Sequence, residues 1–176
     1  MPTRHDSRCS ATALRTAPRA VVAAGALSAV LLGAAGCTAV TVPPGPAAAD
    51  PACADVIVGA PEELLGLPRQ ETTSQGTLAW GTGDGAVVLR CGVAPPPPTT
   101  EHCATLEDTS GTQIDWIVRE DESGYVRFTT YGREPAIDLT VPRASAPDQP
   151  SAAALDLGQL VGAIPATAHC VGAGDL

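Results

Sequence analysis

Two histidine–cysteine pairs, His102-Cys103 and His169-Cys170, are the residues of this chain whose types are best suited to chemistry. A thiolate beside an imidazole is a donor set for zinc, and a thiol of lowered pKa is a redox nucleophile. The stretch 90–103, "RCGVAPPPPTTEHC", adds a second arrangement: Cys91 and Cys103 bracket four prolines. Neither C-x-x-C nor H-x-x-x-H spacing occurs, and those are the spacings that compact zinc and dithiol sites use. Cys9 falls in an N-terminal leader and Cys37 at its end. The remaining four, Cys53, Cys91, Cys103 and Cys170, are an even number in a domain read below as exported. Two disulfides are the expected outcome, with three possible pairings, and no metal or cofactor is expected.

Other candidate chemistry is thin. Beyond the leader only His102 and His169 can serve as imidazole bases, and no serine stands in a nucleophile-elbow pattern. The pairs Glu107-Asp108 and Glu120-Asp121 fall in apparent turns, where carboxylates are usually solvated loop charges. Asp115 is expected opposite Trp116 on a strand, forming a structural ion pair with Arg127 or Arg119. Gly81, Gly83 and Gly85 are spaced like a phosphate loop, but no helix and no Gly-Lys-Ser/Thr follows. No pattern names a reaction.

The leader itself is informative. Arg4, Arg8, Arg15 and Arg19 precede the uncharged run 20–36, "AVVAAGALSAVLLGAAG", and then Cys37. As a helix that run reaches about 25 Å, short of the ~30 Å hydrocarbon core, so it reads as a signal peptide over 1–36. "AAGC" resembles the lipobox of bacterial lipoproteins, in which a diacylglyceryl group, carrying chains such as palmitate, is attached to the cysteine; Ala34 stands where leucine is commonest. Cleavage at an A-x-A-like site and an uncleaved anchor are the alternatives, and each leaves the domain outside the cytoplasm. Two acyl chains suffice for stable anchoring. The expected location is therefore the extracytoplasmic face of the cell membrane, lipid-anchored at Cys37.

The 176-residue chain has no lysine, and ten arginines against nineteen acidic side chains. Past residue 36 the balance is six arginines against eighteen acids, or −12. Such a charge repels nucleic acid, and a cationic ligand is permitted by it. No polybasic run follows Cys37, so membrane attachment falls to the lipid. Five aromatics in all mean a light, aliphatic core.

The elements that must position these residues follow from local pattern. Residues 37–50 form the lipidated cysteine and a Pro/Ala-rich tether, and residues 51–174 a single domain. Asp50-Pro51 is an N-cap followed by proline, opening a helix to about Val58, and a further helical turn is expected from Pro61 to Leu65. "LAWGTGDGAVVL" reads as a hairpin, with Val87, Leu89, Cys91 and Val93 on one face and Arg90 on the other. "QIDWIVR" and "YVRFTTYG" form a second hairpin around the acidic turn 120–124, and "AIDLTVP" is a further strand. Pro95–Pro98 is a stiff polyproline connector. A C-terminal helix is expected over 151–163, with Leu157, Leu160, Val161 and Ile164 at helical spacing. Together these predict an α+β domain: an antiparallel sheet of about five strands with N- and C-terminal helices packed on it.

In order along the chain, "LPRQ", "AWG", "LRCGV", "DW" and "YGREPAIDLTVP" resemble an actinobacterial family of secreted or membrane-anchored proteins catalogued as a domain of unknown function. The resemblance spans about 53–164, with "LRCGV" after "AWG" its most specific part. Where the family commonly has proline after "AWG", this chain has "TGDG". The family carries no established catalytic residues. It implies that the cysteine early in the first helix pairs with that of "LRCG", here Cys53 with Cys91, which leaves Cys103 to Cys170. By the chain-entropy model each bond contributes about 3 to 5 kcal/mol. The expected function is a non-enzymatic binding or scaffolding component of the cell envelope, its partner an envelope protein or small ligand; the alternative is an envelope hydrolase using Asp/Glu or His.

Overall fold

The computed structural model describes residues 39–171. The signal segment and Cys37 therefore lie outside the described residues. Asp50 accepts the Ala52 N–H at 2.9 Å and starts helix α1 (Pro51–Gly59), with Pro51 in the first turn where a missing N–H costs nothing. The helical turn expected at 61–65 does not form. Glu63–Leu64 (β1) instead pairs with Leu67–Gln70 (β2) across the two-residue turn Leu65-Gly66. Both turn residues have positive φ, 53° and 73°, the conformation of a tight hairpin whose twist matches its strands.

The expected hairpin follows as Thr77–Trp80 (β3) and Val87–Val93 (β4). After the proline run come Cys103–Glu107 (β5), Gln113–Glu120 (β6), Tyr125–Thr130 (β7) and Ala136–Pro142 (β8). The sheet has eight antiparallel strands rather than about five, in the order β1-β2-β3-β4-β8-β7-β6-β5. It is two four-stranded meanders joined where β4 meets β8. The three strands that pattern alone passes over, β1, β2 and β5, are two to five residues long and too short for alternation to register.

One face of the sheet carries the core. Trp80, Leu89, Cys91, Trp116, Phe128, Ile137 and Leu139 are buried there against Cys53 and Val56 of α1. Trp116 meets Phe128 edge to face with ring centroids 6.2 Å apart. The expected C-terminal helix is present but broken: α2 (Ser151–Asp156) and α3 (Gly158–Gly162) meet at Leu157, whose φ and ψ are −93° and 0°. Gly158, a poor helix former, lies there because a Cβ would press on the Asp108 carboxylate. Leu157, Val161 and Ile164 are buried at the expected spacing.

Residues 40–48, read from composition as a tether, lie along the domain. Val40 donates to the Glu71 carbonyl at 2.8 Å, Val42 is buried, and Ala47 donates to the Gly92 carbonyl at 2.8 Å. The strand accommodates this arm with a bulge at Gly92, where the β4–β8 register shifts. Gly92 has φ 81°, and a Cβ on it would overlap the Ala47 carbonyl carbon. Replacing Gly92 with alanine is therefore expected to cost at least about 1–3 kcal/mol from backbone conformation alone, before the arm is displaced. Urea unfolding of Gly92→Ala beside Gly66→Ala, a positive-φ glycine with open space around it, separates lost arm contacts from the conformational cost.

Candidate functional site

Two disulfides organise the surfaces on either side of the sheet. Cys53–Cys91 ties α1 to the core face of β4, with Cα atoms 5.5 Å apart. Cys103–Cys170 ties β5 to the C-terminal arm, 5.8 Å apart. The ends of "RCGVAPPPPTTEHC" thus belong to different bonds. His102 is exposed, and among the described residues no group of three or more His, Cys, Asp or Glu side chains is placed to hold a metal ion.

The helical side bears a groove of about 730 Å³ between α1 and α2–α3, within the range of ligand sites. Its floor is apolar, with Val56, Leu157, Leu160 and Ile164, and its rim holds Asp55, Glu107, Asp108 and Asp156. No arginine lines it. The Ser110 hydroxyl, with backbone N–H groups of Thr112 and Ser110, holds the Asp108 carboxyl below its ordinary value. Glu107 accepts from Gln113 Nε2 at 2.6 Å, and among the described residues none of the four rim carboxylates forms a salt bridge.

The opposite face is flanked by two chain arms. The C-terminal arm is held by Thr167, whose N–H donates to Gly132 O at 2.6 Å, and by Asp115. Asp115 is expected to pair with Arg127 or Arg119, but neither reaches it. Its carboxylate, only 7 % exposed, accepts from Thr105 Oγ1 at 2.5 Å and from the Cys170 N–H at 3.2 Å, and lies 3.0 Å from His169 Nδ1. The structure therefore joins two residues, Asp115 and His169, that sequence reading treats separately. The histidine side chain is 74 % exposed, so the pair sits on the surface rather than in a cavity. Arg133, buried nearby, donates to the Ile164 carbonyl; burial lowers its pKa, opposed by attraction to Asp115.

Between the arms lies a shallow cleft of about 350 Å³ lined by Pro46, Pro95–Pro97, Arg90, Arg119, Arg127, Thr129 and Asp138. Asp138 is 5 % exposed; it accepts from Thr129 Oγ1 at 2.7 Å and lies 3.8 Å from Arg90 Nη1 and 3.7 Å from Arg127 Nε. Arg119 is held by both oxygens of Glu101, which lowers the glutamate's pKa and raises the arginine's. Half the arginines past residue 36 meet here. Alternation places Arg90 and Asp138 off the core face, but their juxtaposition requires knowing that β4 pairs with β8, whose starts are 49 residues apart. Sequence reading missed the cluster for that reason.

Asp115→Ala is expected to strip Thr105 of β5 and two groups of the C-terminal arm, His169 and the Cys170 N–H, of their partner and to destabilise the domain by about 1–3 kcal/mol. Urea unfolding checks it, with the disulfides intact; an unchanged midpoint would mean the arm is not held by this carboxylate.

No curated protein and no solved structure matches the chain. A family model does: residues 15–168 match the family described as protein of unknown function (DUF3515), a span that takes in strands β1–β8, helices α1–α3 and the paired cysteines Cys53, Cys91 and Cys103, and that ends two residues before Cys170. By that match the chain belongs to the protein of unknown function (DUF3515) family.

Proposed function

We propose that this protein is a lipid-anchored, extracytoplasmic component of the cell envelope that binds or scaffolds a partner without catalysing a reaction. The observation that carries the reading is the pair of disulfides, Cys53–Cys91 and Cys103–Cys170, which leaves Cys37 as the one cysteine past residue 36 outside these bonds. Disulfides of this kind belong to oxidising compartments, and a light aliphatic core benefits from them. Cys37 ends a lipobox-like "AAGC" behind a basic and then apolar leader, which suits lipid attachment. The acidic-rimmed, apolar-floored groove is the surface suited to an envelope protein or small ligand of positive charge.

A second reading, an envelope hydrolase, draws on one observation: the His169 Nδ1–Asp115 contact leaves Nε2 of the imidazole free in the manner of a general base. Among the described residues no serine, threonine or cysteine bonds to that imidazole, and the binding reading is preferred.

Labelled palmitate fed to cells making the full chain is expected to enter the protein, and Cys37→Ala to abolish both the label and membrane retention. Equal membrane retention by the variant, without label in the parent, would contradict the lipid anchor.

A further inference from the structure

The inference here rests on the lipid anchor at Cys37, and concerns which surface the anchored domain turns to the membrane. Cys37 is three residues before Val40, and three extended residues span at most about 11 Å. Val40 is bonded to the β2–β3 loop, and Pro43, at most about 21 Å of chain from Cys37, accepts a hydrogen bond from Arg90 Nε at 3.1 Å. A domain of 133 described residues has a radius of gyration of about 14 Å. The reach to Val40 is shorter than that radius. A lipid on Cys37 therefore holds the domain against the headgroups, with the arm side inward, and leaves no length for it to stand clear.

Charge then selects among the orientations that remain. The three helices contain no arginine, and the groove between them is rimmed by Asp55, Glu107, Asp108 and Asp156. The open sheet face beside the arm gathers Arg90, Arg119 and Arg127 against the carboxylates of Asp138 and Glu101, which leaves one positive charge in excess at the cleft. Anionic headgroups repel the first surface and attract the second. Arg127 is the most available of the three: it is 52 % exposed and, among the described residues, makes no hydrogen bond, only the 3.7 Å pair to Asp138. A guanidinium with unengaged donors suits a phosphate in the fork geometry that such groups favour.

We propose that the open sheet face, at the cleft of Arg90, Arg119 and Arg127, rests on the anionic phospholipid surface in which the lipid of Cys37 is inserted. The acidic groove consequently faces away from the bilayer, toward envelope partners. The basic cluster orients the domain and does not by itself recruit it, because the whole chain past residue 36 is strongly acidic.

The test uses the protein purified from membranes and reconstituted into vesicles of phosphatidylcholine alone or of phosphatidylcholine with one part phosphatidylglycerol to two. Arginine modification by phenylglyoxal is followed by peptide mass spectrometry. Arg119 and Arg127 are expected to react several-fold more slowly on the anionic vesicles than on the neutral ones, the difference vanishing in high salt. Arg69, which faces the helical side through its bond to Ile57 O, is expected to react equally on both. Equal rates for Arg119 and Arg127 on the two vesicles, or slowing of Arg69 to the same degree, would overturn the proposal. If the protein fails to float with neutral vesicles, the anchor reading is what fails; coupling Cys37 to a maleimide lipid then restores the geometry, and the same rates decide the orientation.

Discussion

The two residues Cys91 and Gly92 of β4 hold the molecule's layers together. Cys91 points into the core and is bonded to α1, so the helical layer is fixed covalently to a central strand. Gly92, next in sequence, lets the strand bulge and brings its backbone against Gly45 and Ala47 with no intervening side chain. One face of a single dipeptide therefore carries the helix, and its backbone carries the N-terminal arm. In a domain with five aromatics, few other contacts are heavy enough to do either.

Everything on the open face follows from that placement. With the arm on one flank and the Cys103–Cys170 arm on the other, the middle of the sheet is reached through the shallow cleft between them, and Asp138 and Thr129 there are buried. The strands there must satisfy their outward side chains among themselves. Asp138 does so by sharing its carboxylate between Thr129, Arg90 and Arg127, and Asp115 by accepting from Thr105 and the C-terminal arm. The groove on the helical face meets the opposite condition, with four acids and no arginine in its lining. The result is a domain whose arginines and acids are unevenly shared, with four acids and no arginine at the groove and three arginines beside Asp138 and Glu101 at the open face. A net balance of −12 describes neither face.

Local rules made much of this legible in the sequence. The Asp50 cap, the alternation of "VVLRCGV", the second hairpin and the strand "AIDLTVP" all depend on neighbours within a few residues, and the structure has them. Cys91 on the core face was readable from alternation, and its bond to Cys53 was implied by resemblance to a family. What escaped was set by distant partners. The short strands β1, β2 and β5 exist because longer neighbours pair with them. The helical turn at 61–65 lost to a hairpin that the positive φ of Leu65 and Gly66 closes. The Pro/Ala stretch at 40–48 looked like spacer because composition cannot reveal that Gly92 offers it a docking groove. The arginine cluster and the Asp115–His169 pair likewise arise only once strands far apart in sequence lie side by side.

The docked arm is the claim on which the account turns, since it converts a presumed spacer into part of the domain and fixes how far any lipid on Cys37 can stand from it. Hydrogen exchange of the Ala47 amide tests it most directly, because that N–H is bonded to the Gly92 carbonyl only while the arm is in place. The account expects Ala47 to be protected to an extent comparable with the amides of β4. Exchange at the rate of an unstructured chain, with β4 still protected, would contradict it.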